Sequence, residues 1–196
     1  MTFVELIGAL LSIWAVWLTA KRRPWCWPIG LLSVIVYLWI FVAAKLYSDA
    51  LLQVAFAGLL VYGWRRWVQN LGGDGRVRVA RLPRRQAIGH CLIGVVGALV
   101  LGFAMHRWTD AALPWLDSAL TSFSLVAQWW QDRRHTAAWW LWIVVDVIYV
   151  GEYIYKHLLI TSVLYAGFVV LALIGLRAWQ EAEGQDATRM PPAAAG

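Results

Sequence analysis

The chain has 196 residues, of which 61% are hydrophobic and only 14% charged, and its mean hydropathy is +0.61. Soluble domains carry about 25% charged residues, so composition excludes an ordinary soluble protein. The formal charge of +6 does not point to nucleic acid, because the cations lie between apolar runs and form no basic face.

One membrane span takes about 20 apolar residues, so the chain has room for about seven. Segment one, 3–20, comes before Lys21-Arg22-Arg23. A cleavable signal has its cations ahead of the apolar core, so this is expected to be a retained first helix with its basic end in the cytoplasm. Segments two and three follow at 27–44 and 50–67. The linker 68–85 opens with Gln69-Asn70-Leu71-Gly72-Gly73-Asp74-Gly75 and lacks the Lys-Ser/Thr of a phosphate loop. It is expected to be a flexible cytoplasmic loop. Segments four to seven lie at 86–105, 113–131, 138–155 and 158–178. Segments two, three, four and seven are apolar nearly all round, which suits lipid. The tail 181–196 ends in Pro191-Pro192-Ala193-Ala194-Ala195-Gly196 and is expected to be disordered.

Of the 17 Lys and Arg, all but Lys45, Arg107 and Lys156 fall on one side of this arrangement. The positive side faces the cytoplasm, which puts the N-terminus outside and the C-terminus inside. The protein is therefore expected to cross a membrane several times. Fifteen tryptophans are present. Trp14, Trp17, Trp108, Trp115, Trp129 and Trp130 lie near span ends, where an interface belt explains them. Cys26 and Cys91 form no disulfide framework, and His90, His106, His135 and His157 lack metal-ligand spacing. No metal and no cofactor are expected.

Sliding the chain against itself by 112 residues aligns Ser12 with Ser124, Trp17 with Trp129, Arg22 with Arg134 and Trp27 with Trp139. Tyr37 then meets Tyr149, Leu52 meets Leu164, Gly63 meets Gly175 and Trp67 meets Trp179. A duplication is expected, with repeat one at about 3–67, a linker helix at about 86–105 and repeat two at about 115–179. Three spans is an odd number, so the linker helix restores the orientation of the second half. The expectation is an all-α membrane protein of seven transmembrane helices in a 3+1+3 parallel repeat, a single domain over 1–180. Such repeats place a substrate site near the midplane between the halves.

Polar residues inside the spans mark a candidate site. Segment five carries Asp117, Thr121, Ser124 and Gln128 on one helix face. Segment six carries Trp139, Trp142, Asp146, Tyr149 and Tyr153, again on one face. Segment seven adds Tyr165, whose repeat partner on segment three is Gln53. Interhelical hydrogen bonding uses Ser, Thr and Gln equally well. A carboxylate inside a span, such as Asp146, is a functional candidate, with pairing to a Tyr hydroxyl as the structural alternative. Aromatics beside a carboxylate suit a flat, cationic ring through stacking and cation–π attraction.

Trp25-Cys26-Trp27-Pro28-Ile29-Gly30, Ala44-Lys45-Leu46-Tyr47-Ser48-Asp49, Leu52-Gln53 and Tyr62-Gly63-Trp64 form a first-half signature. The second half has Trp139-x-x-Trp142-x-x-x-Asp146, then Tyr153, Tyr155-Lys156 and Leu164-Tyr165. Through these motifs the chain, over about 3–180, resembles the PnuC family of bacterial vitamin transporters, best known for nicotinamide riboside. Members often carry Asn shortly before the Trp-x-Trp-Pro motif, where this chain has Arg23-Pro24.

The resemblance implies a fold like a full-length version of the sugar transporters called SWEETs. It implies uncoupled, facilitated diffusion of nicotinamide riboside, with a cytoplasmic kinase trapping it for NAD synthesis, and a homo-oligomer such as a trimer. Trp139, Trp142 and Tyr149 are then candidates to stack on the ring. Gln53, Thr121, Ser124, Gln128 and Asp146 would bond the ribose or amide, and Tyr62, Tyr153 and Tyr165 would line the site or route. Rival readings are the same fold with thiamine, riboflavin or a deoxynucleoside, a membrane enzyme, and a non-transporting sensor.

Overall fold

The computed structural model describes residues 3–43, 47–109, 113–157 and 159–189. They form seven helices: α1 (Phe3–Ala20), α2 (Cys26–Ala43), α3 (Tyr47–Val68), α4 (Arg84–Trp108), α5 (Pro114–Asp132), α6 (Ala137–Tyr155) and α7 (Leu159–Arg189). Ala44, Lys45 and Leu46 of the first-half motif, and 190–196 of the tail, lie outside the described residues. By length and apolarity α4, α6 and α7 qualify to cross a membrane, and α1 and α2 contain the shorter apolar stretches Leu6–Ala20 and Cys26–Ile40. The outer side of α4 exposes Leu92, Ile93, Val96, Leu99, Val100 and Phe103. Such a surface suits hydrocarbon rather than water.

Two packed rows are present, α1–α2–α3 and α5–α6–α7, and α4 lies against α5. The rows join along two seams, α1 with α7 and α3 with α5. Several pairs of residues 112 apart make like contacts. Trp27 meets Trp67 edge-on, with ring centroids 5.1 Å apart and planes at 87°. Trp139 meets Trp179 in the same way, at 5.6 Å and 83°. Trp67 and Trp179 are fully buried and meet each other at 5.7 Å. Each indole N–H crosses to the other row: Trp67 donates to the Gln131 carbonyl and Trp179 to the Thr19 carbonyl, both at 3.1 Å. Arg22 and Arg134, just beyond α1 and α5, both adopt left-handed backbone, with φ of 57° and 67°.

The linker before α4 is pinned, against the expectation of a flexible loop. Val77 is 0% exposed within the tryptophan core. Val79 packs against the same core and Leu82 against a second cluster, so these apolar side chains anchor a segment otherwise rich in Gly and Arg. Gly75, at φ 68°, makes the turn that brings Val77 back. The Val77 N–H donates to the Arg22 carbonyl and the Ala80 N–H to the Arg134 carbonyl, both at 3.0 Å. The linker therefore ties the two rows together at equivalent turns.

The structure also differs at the far end, where α7 runs on to Arg189 instead of stopping near 178. Ala182 is buried there, and Glu183 accepts hydrogen bonds from Arg81 at 2.8 Å and from Thr136 at 2.9 Å. Those contacts hold a stretch of Glu, Gln and Ala that favours helix in its own right.

His135 holds the linker through a contact of 2.9 Å between its Nδ1 and the Ala80 carbonyl. Burial depresses its pKa below the ordinary 6.5, and the positive charges of Arg133, Arg134 and His90 add to this. The unfolded chain then binds the extra proton first, so stability is full above about pH 6.5 and falls as the pH drops below it. A thermal unfolding midpoint followed from pH 7.5 to 5 is expected to decline. His135→Asn, whose amide can donate to the same carbonyl, is expected to flatten that decline.

Candidate binding site

The polar faces of α5 and α6 meet. A step of three or four residues keeps side chains on one side of a helix, and both stripes follow it. Tyr149 on α6 lies beside Ser124 on α5. Trp142 Nε1 donates to Gln131 Oε1 at 2.8 Å. Tyr165 from α7 closes the group, at 4.9 Å from Tyr149 and 5.0 Å from Tyr153 between ring centroids. The Tyr153 and Tyr165 hydroxyls lie close to each other. Tyr149 and Tyr153 stack at 5.7 Å with planes 15° apart, and Phe168 meets Tyr165 edge-on at 5.5 Å. The result is an aromatic wall built from two helices.

Asp146 sits beside this wall. It is 6% exposed, close enough for its charge to act on the Tyr165 hydroxyl. Among the described residues it makes no hydrogen bond and no ion pair. A buried carboxylate without a partner costs several kcal/mol, and proteins keep such a group where something else supplies the countercharge.

Charged residues close one end of the column. Lys156 Nζ lies 3.2 Å from Asp117 Oδ1 and also donates to Glu152. Burial works against the Lys156 ammonium, but the bonds to Glu152 and Asp117 outweigh it and hold its pKa above the ordinary range. The clamp joins the start of α5 to the finish of α6, so these two helices are fixed to each other.

At the other end Gln128 Nε2 donates to Asp132 Oδ1 at 2.8 Å, and Asp132 Oδ2 is buried without a partner. Asp132 lies under Gly63 and beside Trp27. The expected stripe Asp117, Thr121, Ser124, Gln128 reaches Asp132 by one more step of four residues. That continued periodicity was the available signal for a residue the sequence expectations did not include.

The remaining expected residues divide. Ser124, Tyr149, Tyr153 and Tyr165 come together, and Asp146 lies near Tyr165. Trp142 borders the group with its indole N–H bound to Gln131. Trp139 shares their helix face but is 1% exposed and packed against Gly175 and Trp179. Gln128 is turned toward Asp132. Thr121 on α5 and Gln53 on α3 are half-buried, and no hydrogen bond links either to the wall among the described residues. No group of three or more metal-ligating side chains occurs among the described residues.

The profile of a family described as nicotinamide mononucleotide transporter matches residues 2–181. The nicotinamide riboside transporter PnuC of Escherichia coli (strain K12) is 24% identical over 204 aligned positions, covering 91% of this chain and 85% of that protein. The riboflavin/roseoflavin transporter RibM of Streptomyces davaonensis is 26% identical over 182 positions, covering 89% and 83%. A crystal structure of the vitamin B3 transporter PnuC superposes with a TM-score of 0.77, over 94% of this chain and 83% of that one, at 24% identity. That likeness establishes a shared helical fold.

Proposed function

Because the chain belongs to the nicotinamide mononucleotide transporter family, whose members are transporters and not enzymes, we propose that it takes up nicotinamide riboside. It is a multi-pass protein of the bacterial inner membrane. The observation that carries the substrate assignment is Asp146, a buried carboxylate with no internal partner beside an aromatic wall. Nicotinamide riboside brings a permanent pyridinium charge on a flat ring. The charge offsets the desolvated carboxylate, and the ring gains stacking and cation–π contact. Ser124, Tyr149 and Tyr165 lie where ribose hydroxyls would bond, and Trp142 stands at the edge of the ring site.

Our reading of the transport cycle is a rocking of two parallel three-helix halves about an axis along the membrane normal, with α4 as the linker. The contacts repeated at 112 residues support that arrangement. The cation bias places the N-terminus outside and the ends of α1, α3 and α5 in the cytoplasm. Movement is uncoupled, and net uptake follows from phosphorylation by a cytoplasmic nicotinamide riboside kinase. The reading carries a trimer as the assembled form, and the apolar outer side of α4 leaves room for lipid or neighbouring copies.

A second vitamin is the alternative that RibM brings forward. The neutral ring of riboflavin gives Asp146 no countercharge, whereas thiamine does. The test is uptake of labelled nicotinamide riboside into vesicles that hold the purified protein and no kinase. Uptake is expected to stop at equal concentrations inside and out, with or without a pH gradient. Accumulation driven by the gradient would overturn uncoupled transport. Displacement by thiamine or riboflavin, but not by nicotinamide riboside, would overturn the substrate.

A further inference from the structure

Four arginines gather at the seam between α3 and α5. Arg65 and Arg66 lie in the last turn of α3, and Arg133 and Arg134 follow α5 directly. Tyr62 stacks on Trp129 across the seam, with centroids 5.3 Å apart and planes 5° from parallel. Each ring also carries the arginine four residues further along its own chain, Arg66 over Tyr62 at 5.9 Å and Arg133 over Trp129 at 4.4 Å.

The charge here is not balanced from within. Arg81 nearby in sequence pairs with Glu183. Among the described residues no carboxylate pairs with Arg65, Arg66, Arg133 or Arg134. The buried Nε atoms of Arg66, Arg133 and Arg134 lack hydrogen-bond partners. Arg134 spends one bond of 3.1 Å on the Arg78 carbonyl. Burial, and then the charge of Arg66, hold its guanidinium below its ordinary pKa. On the α3 side of the cluster, next to Arg65 and Arg66, lies a cavity of about 420 Å³ lined by Gly58, Val61, Tyr62, Arg65, Arg66 and Gln69. That volume falls in the range of small-ligand sites.

Guanidinium forks fit the oxygens of phosphate in pairs. Several unpaired cations held together call for a ligand with more than one negative charge. We propose that the arginines of the α3–α5 seam bind a phosphate monoester dianion. Arg65 and Arg66 belong to the first half and Arg133 and Arg134 to the second, so an anion shared between them holds the seam closed. The inference rests on the transport reading above, which turns this end to the cytoplasm, where a phosphorylated nucleoside accumulates. Its occupation would then restrain the transporter when product is plentiful. The headgroup of phosphatidic acid offers the same chemistry.

The test uses the full-length protein in neutral detergent, with inorganic phosphate compared to chloride at equal ionic strength. Phosphate is expected to raise the unfolding midpoint by about 5 °C at saturation. Arg66→Gln and Arg134→Gln are each expected to raise the phosphate concentration required by about tenfold. Arg84→Gln, an exposed cation at the start of α4, is expected to leave it unchanged. If Arg66→Gln does not fold, Arg66→Lys keeps the charge and loses the fork, and is expected to weaken phosphate as well.

In nanodiscs of phosphatidylcholine, added phosphatidic acid that abolishes the phosphate shift assigns the site to the headgroup. A shift that persists assigns it to soluble phosphate. The proposal is overturned if neither phosphate nor phosphatidic acid stabilises the wild type beyond chloride, or if both Gln variants keep the full shift. Uptake of nicotinamide riboside by wild-type vesicles in phosphate-free buffer reads the transport assignment separately.

Discussion

Asp146→Asn is expected to lower uptake of nicotinamide riboside by about tenfold or more while leaving the unliganded protein as stable as before, or more so. The two effects have opposite signs for one reason. The carboxylate is buried and has no partner among the described residues. Replacing it with a neutral side chain of the same shape removes a desolvation cost from the empty protein. The same change removes the countercharge to the pyridinium, so the bound state loses about 1.4 kcal/mol or more, which is a factor of ten. A Tyr hydroxyl bonded to Asp146, the structural alternative, predicts the reverse, with stability lost. Uptake counts in vesicles together with an unfolding midpoint separate the two. The reduced form of nicotinamide riboside, which lacks the ring charge, should be far less sensitive to the substitution. Equal losses for both forms would remove the charge argument.

Gly175→Ala is the second substitution with a large expected effect, this time on the fold. A Cβ at Gly175 would lie 2.6 Å from Trp139 Cη2 and Cζ2. Trp139 cannot retreat, because it is 1% exposed and its ring meets Trp179 edge-on. Overpacking a filled core costs about 1–3 kcal/mol, occasionally more. Alanine gains back about 1 kcal/mol over glycine inside a helix. A cost near the top of that range, less the helix gain, leaves a net loss of about 2 kcal/mol, or about 4–8 °C in the unfolding midpoint. Gly167→Ala, in the same helix with nothing within 4 Å of its Cβ, is the control and should be neutral or slightly stabilising. Gly63→Ala should behave like Gly175→Ala, since its Cβ would meet Trp27 and lie 2.7 Å from Asp132 Oδ1. If Gly175→Ala and Gly167→Ala melt together, the tryptophan–glycine contact is not the constraint described.

These two sites show how far the sequence alone reaches. The helices were legible because strong local signals bound them. The apolar run of α1 stops at Lys21, and Pro114 opens α5. The faces of α5 and α6 were legible because their polar residues keep helical spacing, and Ser124 and Tyr149 do meet. Periodicity states which residues share a face but not what fills the space opposite. Trp139 and Asp146 share one face, yet Trp139 lies over a glycine and is sealed in the core, while Asp146 lies near Tyr165 of α7. The shift of 112 residues that pairs Gly63 with Gly175 was visible. That each glycine makes room for a tryptophan from a neighbouring helix is a tertiary fact. The linker escaped for another reason. Val77, Val79 and Leu82 are scattered among glycines and arginines with no period, and local composition cannot say that a core awaits them. The aromatic wall draws Tyr165 from α7, and only packing brings it to Tyr149 and Tyr153 on α6.

The exchanged tryptophan bonds have a consequence for assembly of the chain. Trp67 is completed by a carbonyl of the second row, and Trp179 by a carbonyl of the first. An indole N–H left buried without an acceptor costs about 1–3 kcal/mol, so each three-helix row synthesised alone lacks the acceptor that its own fully buried tryptophan requires. During translation the first row is made well before residue 131 is available. It therefore waits in an incomplete state until α5 arrives. A gene split within the linker should yield two fragments that are each degraded singly and rescue each other when made together.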